Sequence, residues 1–193
     1  MKTLVKNIRA IDPALGLDEV CDILIDGDRI AEVGQDLSAD GAEILDRAGC
    51  IAVPGLVDIH VHLRDPGQEY KETIETGTAA AAHGGFTGIC SMPNTIPTTD
   101  NAATIDYVLD RARSAGHCRV YPSGACTMGL KGESLAEIGD MAAHGAVAFT
   151  DDGRGVQSAG MMRRVMDYAK MFNCVVMSHC QDEELVGPGQ VNE

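Results

Sequence analysis

No apolar run in this sequence reaches the roughly 20 residues that a bilayer crossing requires. The opening residues carry no signal-peptide pattern, so a cytoplasmic protein is expected. Cations are scarce: 15 Lys and Arg stand against 29 Asp and Glu, a net charge of −14. That balance argues against nucleic acid and against anionic membrane surfaces as partners. It also means that a small anion is repelled overall, so a site for one needs a local positive patch. The seven cysteines include no C-x-x-C pair. An odd, scattered set suits a reducing compartment and excludes a disulfide framework. What is present is ordinary for a globular protein: 45% hydrophobic and 23% charged residues over 193 positions, enough to bury a core.

Residues 1–53 read as short strands. "TLVKNIRAI" is one, turned by Asp12-Pro13. "CDILI" and "RIAEV" flank Asp26-Gly27-Asp28, a hairpin signal in which Gly27 accepts positive φ. "EILDRAGCIAV" leads onward. A small β-sandwich lobe without catalytic candidates is expected here.

From Pro54 the rhythm changes. "LVDIHVHL", "FTGICSMPN", "CRVYPSGA", "AVAFTDDG" and "CVVMSHC" are strand-like runs at intervals of about thirty residues, the size of a βα unit. Helical segments lie between them. Lys71 to His83 stops at Gly84-Gly85. Asp100 is placed to cap a helix with an apolar stripe of Ile105, Val108, Leu109 and Ala112. Ser134-x-x-Glu137 fits a capping box. Ser158 to Phe172 places Met161, Met162, Val165, Met166 and Ala169 at helical spacing, with the methionines expected in the core. Alternating strand and helix implies a parallel sheet. No G-x-G-x-x-G follows the first strand, which weakens the dinucleotide-binding version. Polar residues at the C-terminal ends of several strands favour a (β/α)8 barrel, of which about five βα units fit within residues 54–193.

Those strand ends carry the chemistry. Alternation along Val57 to Arg64 puts Asp58, His60, His62 and Arg64 on one face. Two imidazoles one residue apart on a strand suit a shared metal ion. The next strand ends with Asn94, the fourth with Asp151-Asp152 and the fifth with His179. In a barrel these ends converge, giving His60, His62, one aspartate and His179 as candidate ligands. Alternation in "AVAFTDDG" puts small Ala148 and Thr150 with Asp152, and bulky Phe149 with Asp151, so Asp152 is favoured as the inward-facing acid. Arg64 offers a planar fork matched to a carboxylate, and Asn94 an amide beside it. His83, His117 and His144 fall at helix ends or a loop, outside the strand-end set. Cys180 is expected to be buried packing.

"GLVDIHVHLRDPG" followed by "SMPNT" resembles the amidohydrolase superfamily, and within it dihydroorotases of the long-chain bacterial type. The resemblance implies a metal-dependent hydrolase barrel with a β-sandwich lobe completed by strands from the far C-terminus. It implies one or two zinc ions held by His60, His62, Asp152 and His179, with the aspartate bridging. It also implies a dihydroorotate carboxylate held at His62, Arg64 and Asn94. Many amidohydrolases place a carboxylated lysine on the fourth strand. "AVAFTDDG" has none, which counts for the aspartate-using type and against a hydantoinase or allantoinase. The implied reaction is the reversible hydrolysis of dihydroorotate to N-carbamoyl-aspartate in pyrimidine synthesis. The implied partners are a small anionic substrate, a second copy of the chain as a homodimer, and aspartate transcarbamoylase. A non-catalytic scaffold for that enzyme is the alternative of a different class. The resemblance puts the general acid/base aspartate beyond residue 193. The chain, ending at Val191-Asn192-Glu193, is therefore expected to be part of a longer protein, alone binding at most one zinc and turning over no substrate.

Overall fold

The structure, a computed structural model, describes residues 1–186. The chain divides into two compact units, Met1–Gly55 and Leu56–Glu193. The expected end at Val191-Asn192-Glu193 lies outside the described residues.

The first unit is one five-stranded mixed sheet: β1 (Lys2–Asp12), β2 (Leu17–Asp26), β3 (Arg29–Gly34), β4 (Glu43–Asp46) and β5 (Ile51–Ala52). The order is β3-β2-β1-β4, with β5 also on β1. The β2–β3 hairpin turns at Gly27, whose φ of 62° only glycine takes cheaply. The described residues of this unit form one layer; the sandwich expected for the lobe was to be completed by strands from the far C-terminus. β4 and β5 return alongside β1 in parallel and do not cross to a second sheet. Asp22 stitches this unit. Its buried carboxylate accepts the backbone N–H of Asn7 and of Leu37, both at 3.0 Å, and pairs with Lys6 at 3.1 Å. The Asn7 N–H contributes most to holding its carboxyl below the usual range. It thereby fills the gap in the ladder where the β1 register shifts between Val5 and Ile8.

The second unit repeats strand and helix. In chain order it runs β6 (Leu56–Val61), α1 (Ile74–His83), β7 (Phe86–Ser91), α2 (Ala102–Ala115), β8 (Arg119–Gly124), α3 (Ile138–Ala143), β9 (Ala148–Phe149), α4 (Ala159–Met171), β10 (Val175–Val176) and α5 (Glu183–Val186). The five strands form a parallel sheet in the order β10-β9-β8-β7-β6. Ile89 and Val120 pack against Ile74 and Val108 of the helices. Phe149, fully buried, packs with Ile105, Ile138, Met141 and Val165. This helix-side core fixes every strand and leaves the strands' C-terminal ends to the loops.

Helix starts follow hydrogen bonding more closely than propensity. Thr73 and Thr76 form a reciprocal capping box, so α1 begins three residues later than Lys71. Asn101, not Asp100, caps α2. Asp100 instead accepts the N–H of Gly129 at 2.8 Å. Ser134 and Glu137 form no capping box, because Leu135 is drawn into a bridge with Thr127 and Glu137 makes no side-chain cap bond. Ser158 caps α4 as expected. Met161 is buried on it, but Met166 is 51% exposed, off the apolar stripe of Met161, Val165 and Ala169.

His144, at the C-terminus of α3, meets Asp106 of α2 at 2.9 Å. The hydrogen bond to Asp106, then its charge, raises the imidazole pKa. A raised pKa contributes stability that is complete below the ordinary value of about 6.5 and is lost as pH rises through the raised value. The urea midpoint of the wild-type protein should therefore fall between slightly acid and alkaline pH by an increment absent from His144→Gln. Parallel pH profiles for the two proteins would remove this role.

Candidate metal centre

The site forms where β6, β7 and β9 end and where the chain leaves β10. β6 is not the strictly alternating strand expected. Its register on β7 slips between Asp58 and Val61, where three steps on one strand match two on the other. Asp58 does not join the histidines; its carboxylate accepts the backbone N–H of His60 at 3.0 Å. His60 and His62 still meet, with ring centroids 5.2 Å apart and planes at 71°.

Asp152 is their common partner. Its Oδ1 lies 3.2 Å from His60 Nε2 and its Oδ2 lies 3.6 Å from His62 Nε2. One ligand atom from each of these three residues falls within 4.8 Å of the others. His179 stands beside them, its Nδ1 3.7 Å from Asp152 Oδ1. The carboxylate is buried, with its side chain 6% exposed, while the His60 side chain is 51% exposed. A buried carboxylate under open imidazoles is a donor set of the kind that zinc takes.

Asn94 locks this arrangement. Its Nδ2 donates to Asp152 Oδ2 at 2.8 Å, and its Oδ1 lies 3.1 Å from His62 Nδ1. A carboxylate only accepts, which fixes the orientation of the amide. Asn94 Oδ1 can then only accept, so His62 carries its proton on Nδ1. Nε2 is left to face Asp152, the position a ligand atom of the imidazole needs. After both bonds the amide retains one N–H.

The neighbouring Asp151 does something else. Its buried carboxylate accepts the N–H of Cys126 at 2.8 Å, the N–H of Thr127 at 3.0 Å and the Thr127 hydroxyl at 2.5 Å. Burial pushes its carboxyl up, against the opposing pull of Thr127 and Cys126. With both oxygens engaged by the loop after β8, it is structural.

Arg64 sits just past β6, half-buried, with φ of 61°. Asp65 gives it no ion pair; its carboxylate takes the Tyr107 hydroxyl at 2.8 Å and faces Arg111 at 3.8 Å. Nothing local in the sequence signals that Asp65 is buried; the only hint is the i,i+4 spacing of Tyr107 and Arg111 on α2. His83 and His144 fall at helix ends and His117 in the loop before β8, clear of the cluster. Cys180 is exposed, not buried, because β10 ends four residues earlier. A polar cavity of about 570 Å³ adjoins Asp152 and His179 in sequence, lined by Lys131, Gly153, Arg154 and Gln181. It brings two cations to the same end of the sheet. A cavity of about 850 Å³ lies at the opposite strand ends around Phe86 and Arg119.

A family model described as dihydro-orotase-like matches residues 49–193. The chain belongs to the dihydroorotase-like family. It is 57% identical over 193 residues to a dihydroorotase of Syntrophotalea carbinolica, and 52% identical over 194 residues to one of Geobacter sulfurreducens. Each match covers 100% of this chain but 45% and 46% of the relative, so the chain spans under half of their length. Among solved structures, an L-hydantoinase (dihydropyrimidinase) from Arthrobacter aurescens superposes with a TM-score of 0.83 at 26% identity, covering 95% of this chain and 42% of its own. A dihydroorotase crystal structure matches with a TM-score of 0.62 at 16% identity, over 94% of this chain and 51% of its own. This dihydroorotase-like chain thus shares the amidohydrolase fold.

Proposed function

We propose that the protein containing this chain is a zinc-dependent dihydroorotase, interconverting dihydroorotate and N-carbamoyl-aspartate. The observation that carries the reading is the clustering of His60, His62 and Asp152, with His179 beside them. On this reading the parallel sheet is the first part of a (β/α)8 barrel spanning residues 54–193, and residues 1–53 belong to a β-sandwich lobe. The active unit is a homodimer in the cytoplasm. Seven free thiols suit that compartment.

His60, His62, Asp152 and His179 would hold one or two zinc ions. Bound zinc supplies Lewis acidity and brings the pKa of a bound water to about 7. The chain's own residues do the rest. Asn94 holds the His62 proton on Nδ1, keeping Nε2 available. Asp152 offers both oxygens from a buried position. Arg64, His62 and the remaining N–H of Asn94 would bind the dihydroorotate carboxylate, with the guanidinium fork providing the charge. Asp151 is not free to move a proton, since three donors occupy it.

The test is metal analysis of the complete natural protein, followed by assay with dihydroorotate. Zinc with turnover is expected. Zinc with hydantoin turnover and no dihydroorotate turnover would instead favour the hydantoinase reading, which the fold likeness to L-hydantoinase keeps in view. Co-purification with aspartate transcarbamoylase in a zinc-free state would favour the scaffold. A narrower expectation concerns the ligand shell: Asn94→Ala should weaken zinc binding by about 10–100-fold, the usual cost of losing a residue that orients a ligand. Zinc competition titration reads this, and undiminished affinity would limit Asn94 to the substrate.

A further inference from the structure

We propose that Asp65 is the positioning residue for Arg64, fixing the loop that carries it through a clamp on α2. The inference rests on the reading of Arg64 as the substrate-carboxylate anchor. An arginine side chain has many rotamers to lose, so its fork is selective only when its origin is fixed. Arg64 is not in a relaxed backbone. Its φ of 61° is one that a non-glycine residue keeps only where the surroundings over-determine it.

The loop that follows is bound at several points. Arg64 O accepts from Gln68 N at 2.9 Å, and Pro66 O accepts from Ile96 N at 3.0 Å. Gly67 N donates to Glu69 Oε1 at 2.8 Å. A Cβ on Gly67 would lie 1.8 Å from Ile96 O, so the loop rests directly on the segment that begins at Asn94. These contacts tie Arg64 to the same segment that orients His62 and Asp152. They leave the other side of the loop to Asp65.

Asp65 has a side chain that is 0% exposed, facing an Arg111 side chain that is 44% exposed. The carboxylate accepts the Tyr107 hydroxyl at 2.8 Å and lies 3.5 Å from the N–H of Ile74, the first residue of α1. A packing role needs no charge, and burying one is costly unless its partners are exact. The charge here meets groups from two helices, and it sits one residue from the strained Arg64. Asp65 therefore joins helices α1 and α2 to the loop carrying the anion fork.

The experiment uses the complete natural protein with Asp65→Asn, Tyr107→Phe and Arg111→Gln, each alone and combined with Arg64→Ala. Asp65→Asn should raise KM for dihydroorotate about tenfold, as expected for a misplaced positioning group, with kcat within about twofold. Zinc content should be unchanged. The two α2 variants should raise KM by about threefold each. In the Arg64→Ala background all three effects should shrink below about twofold, because the residue they act through is gone. Full effects retained in that background, or zinc lost from Asp65→Asn, would overturn the proposal. If Asp65→Asn fails to fold, the half-exposed Tyr107 and Arg111 variants carry the same test, and unchanged KM in both overturns it. Wild-type protein that turns over dihydroorotate with flat KM values rejects the clamp alone. Wild-type protein that ignores dihydroorotate rejects the functional reading and the clamp with it.

Discussion

Asp152→Ala should empty the metal centre, while Asp151→Ala, one residue away, should leave it filled. Asp152 faces His60, His62 and His179 at 3.2, 3.6 and 3.7 Å, so its removal takes away the one group shared by every other candidate ligand. It also frees the Nδ2 of Asn94, which then no longer fixes the amide or the His62 tautomer. Ligand loss and loss of orientation compound. An orienting partner by itself is worth about 10–100-fold in affinity, so the direct ligand should cost more than about 100-fold. Metal stoichiometry after gel filtration reads this without any substrate. Equal zinc retention in the two variants would remove Asp152 from the centre.

The placement of Asp152 among the histidines was legible in the sequence because it follows from side-chain size. Phe149 is too bulky for the interior of a barrel and marks the helix side, where it is found fully buried against Ile105 and Val165. Asp152, three residues on, then falls on the opposite side. The histidine pair was legible by the same period of two, although the slip between Asp58 and Val61 shows that the period fails within β6 itself. Asp58 was misplaced for that reason. What was not legible is what depends on distant partners. Asp65 is held by Tyr107 and Arg111, about forty residues later, and no local pattern marks it as buried. Asp100 and Asn101 are equally good caps by type; Asp100 is claimed by Gly129, which leaves Asn101 to cap. The β-sandwich reading of residues 1–53 turns on the same kind of distant partner, since its second layer was expected from strands of the far C-terminus. Period-two strands specify a sheet but not how many layers it has, and the layer count depends on where later strands pair.

The stability cost should fall on the other aspartate. Asp151→Ala removes the acceptor for two backbone N–H groups, those of Cys126 and Thr127, and for the Thr127 hydroxyl. Thr127 is fully buried and Cys126 is 1% exposed, so water does not readily replace the lost oxygens. An orphaned buried donor costs about 1–3 kcal/mol, and three of them with partial relaxation give about 3 kcal/mol in total. Gly132 N donates to Thr127 Oγ1 at 2.9 Å, so the loop from Thr127 to Gly132 loosens with it. Asp151→Asn should cost about half as much, since one amide oxygen still accepts two N–H groups while the amide nitrogen cannot accept the hydroxyl proton. Urea unfolding at neutral pH reads both values. An Asp151→Ala midpoint equal to wild type would mean that the loop after β8 is held by other contacts. A folded Asp151→Ala protein that has lost its zinc would mean that the two aspartates share the metal.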